Sequence, residues 1–181
     1  MKFLSLVCLL GLFIACAASH KEIILPARDV PDPIEKATVI YIARHAEKST
    51  NHPSDPDLSA AGQARALILK DSLNKISVAA IYTTNYKRTK QTVAPTAGAK
   101  SLTPIVYSST DLNALAAKIL KDNLNQTVLI AGHSNTVLET IEAFNLARPI
   151  SIVNDSDYNY LFKITMKENK TPVVEVTRYG K

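Results

Sequence analysis

Two apolar, β-branched runs in this chain each end at a histidine. The first, TVIYIARHAEKS, delivers Arg44 and His45, and the second, TVLIAGHSNT, delivers Gly132 and His133. A third run, VAAIY, leads into the basic segment TTNYKRTKQT and contributes Arg88. An imidazole that is neutral at one nitrogen and held in one orientation can attack phosphorus and form a covalent intermediate. Arginine forks donate paired hydrogen bonds to phosphate oxygens, and phosphoryl transfer asks a protein mainly for positioning and charge stabilisation. On this basis His45 is the candidate nucleophile. Arg44 and Arg88 are candidate phosphate ligands, and His133 is a candidate catalytic group that also binds phosphate and stabilises its equatorial oxygens. Each residue also has a plainer reading. A histidine at a strand end can be purely structural, and Arg88, flanked by Lys87 and Lys90, can be a solvated helix residue.

A departing alkoxide also needs a proton, so a carboxyl of raised pKa is required within reach. The candidates are Asp111, after the short apolar run TPIVY, and Glu47, just beyond His45. Asp111 reads equally well as a helix N-cap, and Glu47 as the ion-pair partner of Lys48 or of an arginine. His52, Asp55 and Asp57 cluster in one loop but match no metal-ligand spacing. GxxxxGK[ST] and GxGxxG phosphate loops do not occur. Neither a metal nor a cofactor is expected.

The elements that must position these residues follow from hydrophobic period and punctuation. Strands are predicted at about 38–43, 78–82, 103–107 and 127–131, read as buried parallel strands bounded by polar residues. A helix capped by Ser59 is expected from Ala60 to about Leu73, and another from about Tyr86 that ends or kinks near Pro95. Asp111 begins a third helix, with a stripe of Leu112, Leu115, Ala116, Ile119 and Leu120. Ser134 is the expected cap of a fourth, carrying Val137, Leu138, Ile141 and Phe144. YLFKITM and PVVEVTRY flank the turn KENKT and read as an antiparallel hairpin. Alternating strands and helices imply a three-layer α/β/α domain with a mostly parallel sheet and an antiparallel C-terminal edge hairpin. Ligands of such sheets bind beyond the carboxyl ends of the strands, where both histidines fall.

With 181 residues, the chain favours one domain with a real core. Its formal net charge of +5 is scattered, with no basic run of the kind that grips nucleic acid, so no nucleic-acid partner is expected. Lys2, an apolar stretch from Phe3 to Ala15 and the small residues ACAAS form a signal-peptide pattern too short for an easy membrane span. The expected organisation is a signal over 1–19, a proline-containing lead-in over 20–36 and a domain over 37–181. Both cysteines, Cys8 and Cys16, fall in or beside the signal, which leaves the domain without a disulfide. LFIAC resembles a lipoprotein box with Cys16 as the lipidated residue, and ordinary cleavage after Ala17 or Ala18 is the alternative. The expected location is therefore exported: periplasmic, secreted or tethered to the envelope through Cys16. The hairpin edge could pair with a second chain, but nothing in the sequence specifies an oligomeric state.

These motifs together resemble the histidine phosphatase superfamily, the phosphoglycerate-mutase-like proteins, in its first branch. RHAEK is similar to the family's RHG-type signature, with Ala46 where the family usually has Gly. DLSAAGQARA resembles its helix start, TTNYKRTKQT its segment with a third phosphate ligand, and LIAGHSNT its second-histidine motif. The likeness runs from about Thr38 to Tyr179 and is greatest to small bacterial members. It implies a phosphohistidine on His45, a pocket completed by Arg44, Arg88 and His133, no required metal, and Asp111 ahead of Glu47 as proton donor. The long insertions of the glycolytic mutases are missing, which favours hydrolysis. The implied activity is a histidine acid phosphatase-type phosphoric monoester hydrolase acting on a small phosphorylated substrate. Phosphohistidine or envelope-sugar phosphates are alternative substrates, and binding of phosphorylated ligands without turnover is the alternative outside enzymology. Specificity is expected in loops 46–57 and 107–112 and in the segment 145–158.

Overall fold

The computed structural model describes residues 36–180. The expected signal segment with Cys8 and Cys16, and the lead-in up to residue 35, lie outside the described residues. Ten elements follow in order: β1 (Ala37–Arg44), α1 (Ala60–Ser72), β2 (Val78–Thr83), α2 (Lys87–Lys100), β3 (Ile105–Val106), α3 (Leu112–Asp122), β4 (Thr127–Gly132), α4 (Val137–Ala143), β5 (Tyr160–Lys167) and β6 (Val173–Arg178). The sheet order is β3-β2-β4-β1-β5-β6. The pairs β2–β3, β2–β4 and β1–β4 are parallel, while β1–β5 and β5–β6 are antiparallel. The mostly parallel sheet with its antiparallel edge hairpin is the architecture that the pattern of elements implied.

Alternation along the central strands makes the three layers. Ile40 and Ile42 of β1 and Val128 and Ile130 of β4 pack on Leu115, Ile119, Leu138 and Ile141 of α3 and α4. Ala43, Leu129 and Ala131 face the other way, onto Leu69 of α1 and Val93 and Ala97 of α2. Strands buried on both faces are covered by helices on both faces, so each reads as a nearly unbroken apolar run.

Three local expectations need correction. Helix α2 does not end at Pro95 but continues through it to Lys100. Proline removes one backbone donor and crowds the preceding turn. Here Thr92, Val93, Thr96 and Ala97, all buried, anchor the helix on both sides of the ring. The third strand is only Ile105–Val106, paired to Tyr82 and Thr83, because both of its side chains remain exposed. Ser134 does not cap α4. The N-cap is Thr136, and the Ser134 hydroxyl instead donates to Asp155 at 3.1 Å.

The loop after β1 is tied to α1 through a close backbone approach. Ser59 caps α1, accepting from the Gly62 amide at 3.1 Å, and its own amide donates to the Glu47 carbonyl at 2.9 Å. A Cβ at Gly62 would lie 2.2 Å from that same carbonyl oxygen, so only glycine fits there.

Candidate functional site

The parallel pairing of β1 with β4 brings the two histidines together. Arg44 is in register with Gly132, and the His45 amide donates to the Gly132 carbonyl at 2.9 Å. The imidazoles that follow meet edge to face, with ring centroids 5.4 Å apart. Gly132 admits Thr136 and Tyr107 close to the strand end: a Cβ there would lie 3.1 Å from Thr136 Oγ1 and 3.2 Å from the Tyr107 hydroxyl. Arg44, His45 and His133 are all buried.

His45 is held by one nitrogen. Its Nδ1 lies 2.8 Å from the Ala46 carbonyl, which can only accept, so Nδ1 carries the hydrogen and Nε2 the lone pair. Burial is the main force driving the His45 pKa down to about 3, opposed by the Ala46 carbonyl and reinforced by Arg44, His133 and Arg88. Burial, then Arg88 and Arg44, lowers His133 to about 4. Both rings are therefore neutral near pH 7. The Ala46 amide donates to Thr92 Oγ1 at 2.9 Å, and the Thr92 hydroxyl in turn donates to the Arg88 carbonyl at 2.7 Å. The loop carrying His45 and the helix carrying Arg88 are thereby fixed to each other.

The arginines are steered by loops. Arg44 donates from Nη1 to the carbonyls of Asn154 at 2.8 Å and Asp157 at 3.2 Å, and its guanidinium lies 4.2 Å from the Tyr158 ring centre. Its Nε is buried and donates to no protein acceptor. Arg88, in the first turn of α2, places Nη2 3.4 Å from His133 Nδ1 and stacks 4.3 Å from the Tyr86 ring centre. Asp155 lies 3.4 Å from Arg44, and Asp55 lies 3.9 Å from Arg88. A basic floor with two neutral imidazoles at the head of two parallel strands suits an oxyanion such as a phosphoryl group.

Of the predicted residues, the structure brings together Arg44, His45, Arg88 and His133, and it gives the two carboxyls other partners. Asp111 is the N-cap of α3: its Oδ1 accepts from the Ala114 amide at 3.0 Å, and it borders a cleft shared with Glu139 and Glu142. Glu47 is clasped by Arg65, whose Nε lies 2.8 and 2.9 Å from the two carboxylate oxygens. Burial raises the Glu47 pKa, but the Arg65 hydrogen bonds, a backbone hydrogen bond and the charges of Arg65 and Arg44 together outweigh it and hold the carboxyl below its ordinary range. His52, Asp55 and Asp57 organise their own loop: His52 Nδ1 accepts from the Asp55 amide, and Asp57 holds Asn51 and Gln91. Among the described residues there is no group of three or more His, Cys, Asp or Glu side chains arranged to hold a metal ion.

Sequence reasoning missed Thr84, Tyr86, Asp155 and Tyr158. Thr84 and Tyr86 could have been found by extending the strand-end argument past VAAIY. Asp155 and Tyr158 lie in a segment without periodicity, far along the chain from the residues they touch. Beside Asp155 a cleft of about 410 Å³ opens, lined by residues that include Ser134, Asn135, Arg148 and Ile152.

The model of the histidine phosphatase superfamily, branch 1, matches residues 40–110, the stretch that contains Arg44, His45 and Arg88. Over that stretch the chain is similar to the superfamily. Its fold agrees with solved phosphatases along most of their length. The protein histidine phosphatase SixA, solved with tungstate, is 14% identical, with a TM-score of 0.61, over 77% of this chain and 96% of its own. A mycobacterial glucosyl-3-phosphoglycerate phosphatase is 12% identical, with a TM-score of 0.62, over 80% of this chain and 100% of its own. A phosphoserine phosphatase from Entamoeba histolytica is 15% identical, with a TM-score of 0.59, over 78% of this chain and 96% of its own. No curated protein gives a significant sequence match. At these identities the solved phosphatases establish the shared fold alone.

Proposed function

We propose that this protein is an exported, metal-independent phosphomonoesterase of the histidine acid phosphatase type, working through a phosphohistidine on His45. The observation that carries this reading is the state of His45. The ring is buried and neutral, its Nδ1–H is spent on the Ala46 carbonyl, and Nε2 is left with its lone pair beside Arg44 and His133. In the first step Nε2 attacks phosphorus, the ester P–O bond breaks, and the leaving oxygen takes a proton. In the second, water attacks the phosphohistidine, and phosphate and neutral His45 are regenerated. Arg44 and Arg88 bind the oxygens whose charge builds in each transition state, and His133, fixed beside Arg88, shapes the field around them.

Asp111 is the proposed proton donor, delivered from the start of α3. Glu47 is the weaker candidate, because its bidentate contact with Arg65 favours the carboxylate form. Export rests on the signal-like residues 1–19, and a lipidated Cys16 would tether the enzyme to the envelope. The leaving group is assigned to the cleft beside Asp155, in the 145–158 segment expected to set specificity. A small phosphorylated substrate fits that volume.

The test is hydrolysis of an aryl phosphate by the full-length protein in excess EDTA, beside His45→Ala. Activity that survives chelation and disappears in the variant supports the reading. Equal activity in both proteins overturns His45 as nucleophile, and loss of activity in EDTA overturns metal independence. Tight vanadate binding without turnover of any ester would make the protein a binding module instead.

A further inference from the structure

We propose that Thr84 is a positioning residue that holds His133 in its Nε2–H tautomer. The argument starts two side chains away from the ring. The Thr89 hydroxyl lies 2.9 Å from the Tyr86 carbonyl and 3.1 Å from the Thr84 carbonyl. Carbonyls only accept, so the single Thr89 hydroxyl hydrogen is spent on the backbone. Thr89 Oγ1 must then accept at its 2.8 Å contact with Thr84 Oγ1, which spends the Thr84 hydrogen. Thr84 Oγ1 is thereby left as an acceptor, and 2.9 Å away lies His133 Nε2, which must carry a proton to fill it.

The opposite edge of the ring gives the same answer independently. A guanidinium has donors and no acceptor. Arg88 Nη2 stands 3.4 Å from His133 Nδ1, so that nitrogen presents its lone pair. The three residues of the chain, His133, Thr84 and Thr89, are all buried, so water cannot replace a lost contact cheaply. One segment, 84–89, thus grips both nitrogens of a histidine delivered by another strand. Tyr86 from the same segment packs against the ring at right angles, with centroids 5.1 Å apart.

The consequence for catalysis is orientation. The ring edge turned toward Arg88 is Nδ1, and Thr84 accepts from Nε2–H whether the ring is neutral or carries a second proton. His133 therefore keeps one pose while the charge beside it changes. This catalytic consequence rests on the phosphatase reading, whereas the tautomer does not.

The direct experiment is long-range ¹H–¹⁵N NMR of the histidine side chains in the full-length protein near pH 7. The chain has four histidines, and the His133 signals are assigned by their loss in His133→Gln. The expected result is an Nε2–H pattern for His133 and the opposite pattern for His45. An Nδ1–H pattern for His133, or an average of the two tautomers, overturns the proposal. Thr84→Val keeps the side-chain shape and removes the acceptor. It is expected to shift His133 toward a tautomer mixture and to lower kcat/KM on an aryl phosphate by about tenfold to a hundredfold. Thr84→Ser restores both. A folded Thr84→Val protein with the wild-type tautomer and rate overturns the assignment. If Thr84→Val does not fold, the wild-type spectrum and Thr84→Ser decide the matter. An Nε2–H His133 in a protein that hydrolyses no phosphate ester would sink the phosphatase reading and leave the positioning role of Thr84 standing.

Discussion

The ends of β1 and β4 present the same residue type at neighbouring register positions, yet they hold it in opposite ways. At the β1 end, His45 is tethered by Nδ1 alone, to the carbonyl of the residue that follows it, and Nε2 remains uncommitted. At the β4 end, both His133 nitrogens are engaged, Nε2 by Thr84 and Nδ1 by Arg88. A ring with one free lone pair is equipped to form a bond. A ring pinned at both nitrogens is equipped to stay still and shape the field around that bond. Local backbone suffices for the first arrangement. The second requires a loop from β2, a neighbouring strand in the sheet.

Breaking this asymmetry should have its largest effect at His45. His45→Ala is expected to lower hydrolysis of an aryl phosphate by about a thousandfold or more, because it removes the nucleophile. An initial-rate assay with more than a tenth of the activity left would end the distinction. His133→Ala should cost less, about a hundredfold to a thousandfold in kcat, since it removes stabilisation and leaves the attacking atom in place. Single-turnover rates for the two variants, compared side by side, check that order.

Smaller effects test the scaffold. Gly62→Ala forces a Cβ against the Glu47 backbone oxygen and is expected to destabilise the fold by about 1–3 kcal/mol, measured by urea unfolding. The same variant should disturb His45 more than His133, because only the β1 loop is tied to α1 at that point.

Acid should act on both rings in sequence. Their folded pKa values lie below the ordinary histidine value of 6.5, at about 4 for His133 and about 3 for His45. The unfolded chain therefore binds more protons as pH falls, so stability is fullest above pH 6.5 and declines from there toward pH 3. The midpoint of urea unfolding followed across that window should fall less steeply in His133→Gln. An unchanged slope in that variant would show that His133 is not held neutral by burial.

The parallel core was readable because its strands are buried on both faces and carry continuous apolar runs closed by polar residues. The four clustered site residues were readable for a related reason. Each stands at the end of such a run or in the first turn of the helix that follows one, so the topology of the sheet places them together. Asp111 and Glu47 were legible as carboxyls near strand ends, but their hydrogen-bond partners were not. The cap on Ala114 and the clasp of Arg65 arise from geometry that spacing does not encode. Pro95 misled for a similar reason, because a local breaker was overruled by buried neighbours on both sides. The start of α4 misled because Ser134 spends its hydroxyl on Asp155, a residue 21 positions away.

By itself the chain determined which strands end in which reactive side chains, since burial periodicity and local punctuation are properties of short segments. Only the tertiary structure decided how each ring is protonated and which charges surround it. A tautomer is chosen by the acceptor that faces a nitrogen, and for His133 that acceptor lies 49 residues away. The loop 154–158 likewise reaches Arg44 across more than a hundred positions. Contacts of that span are set by packing, because sequence spacing fixes the order of elements and not which side chains meet.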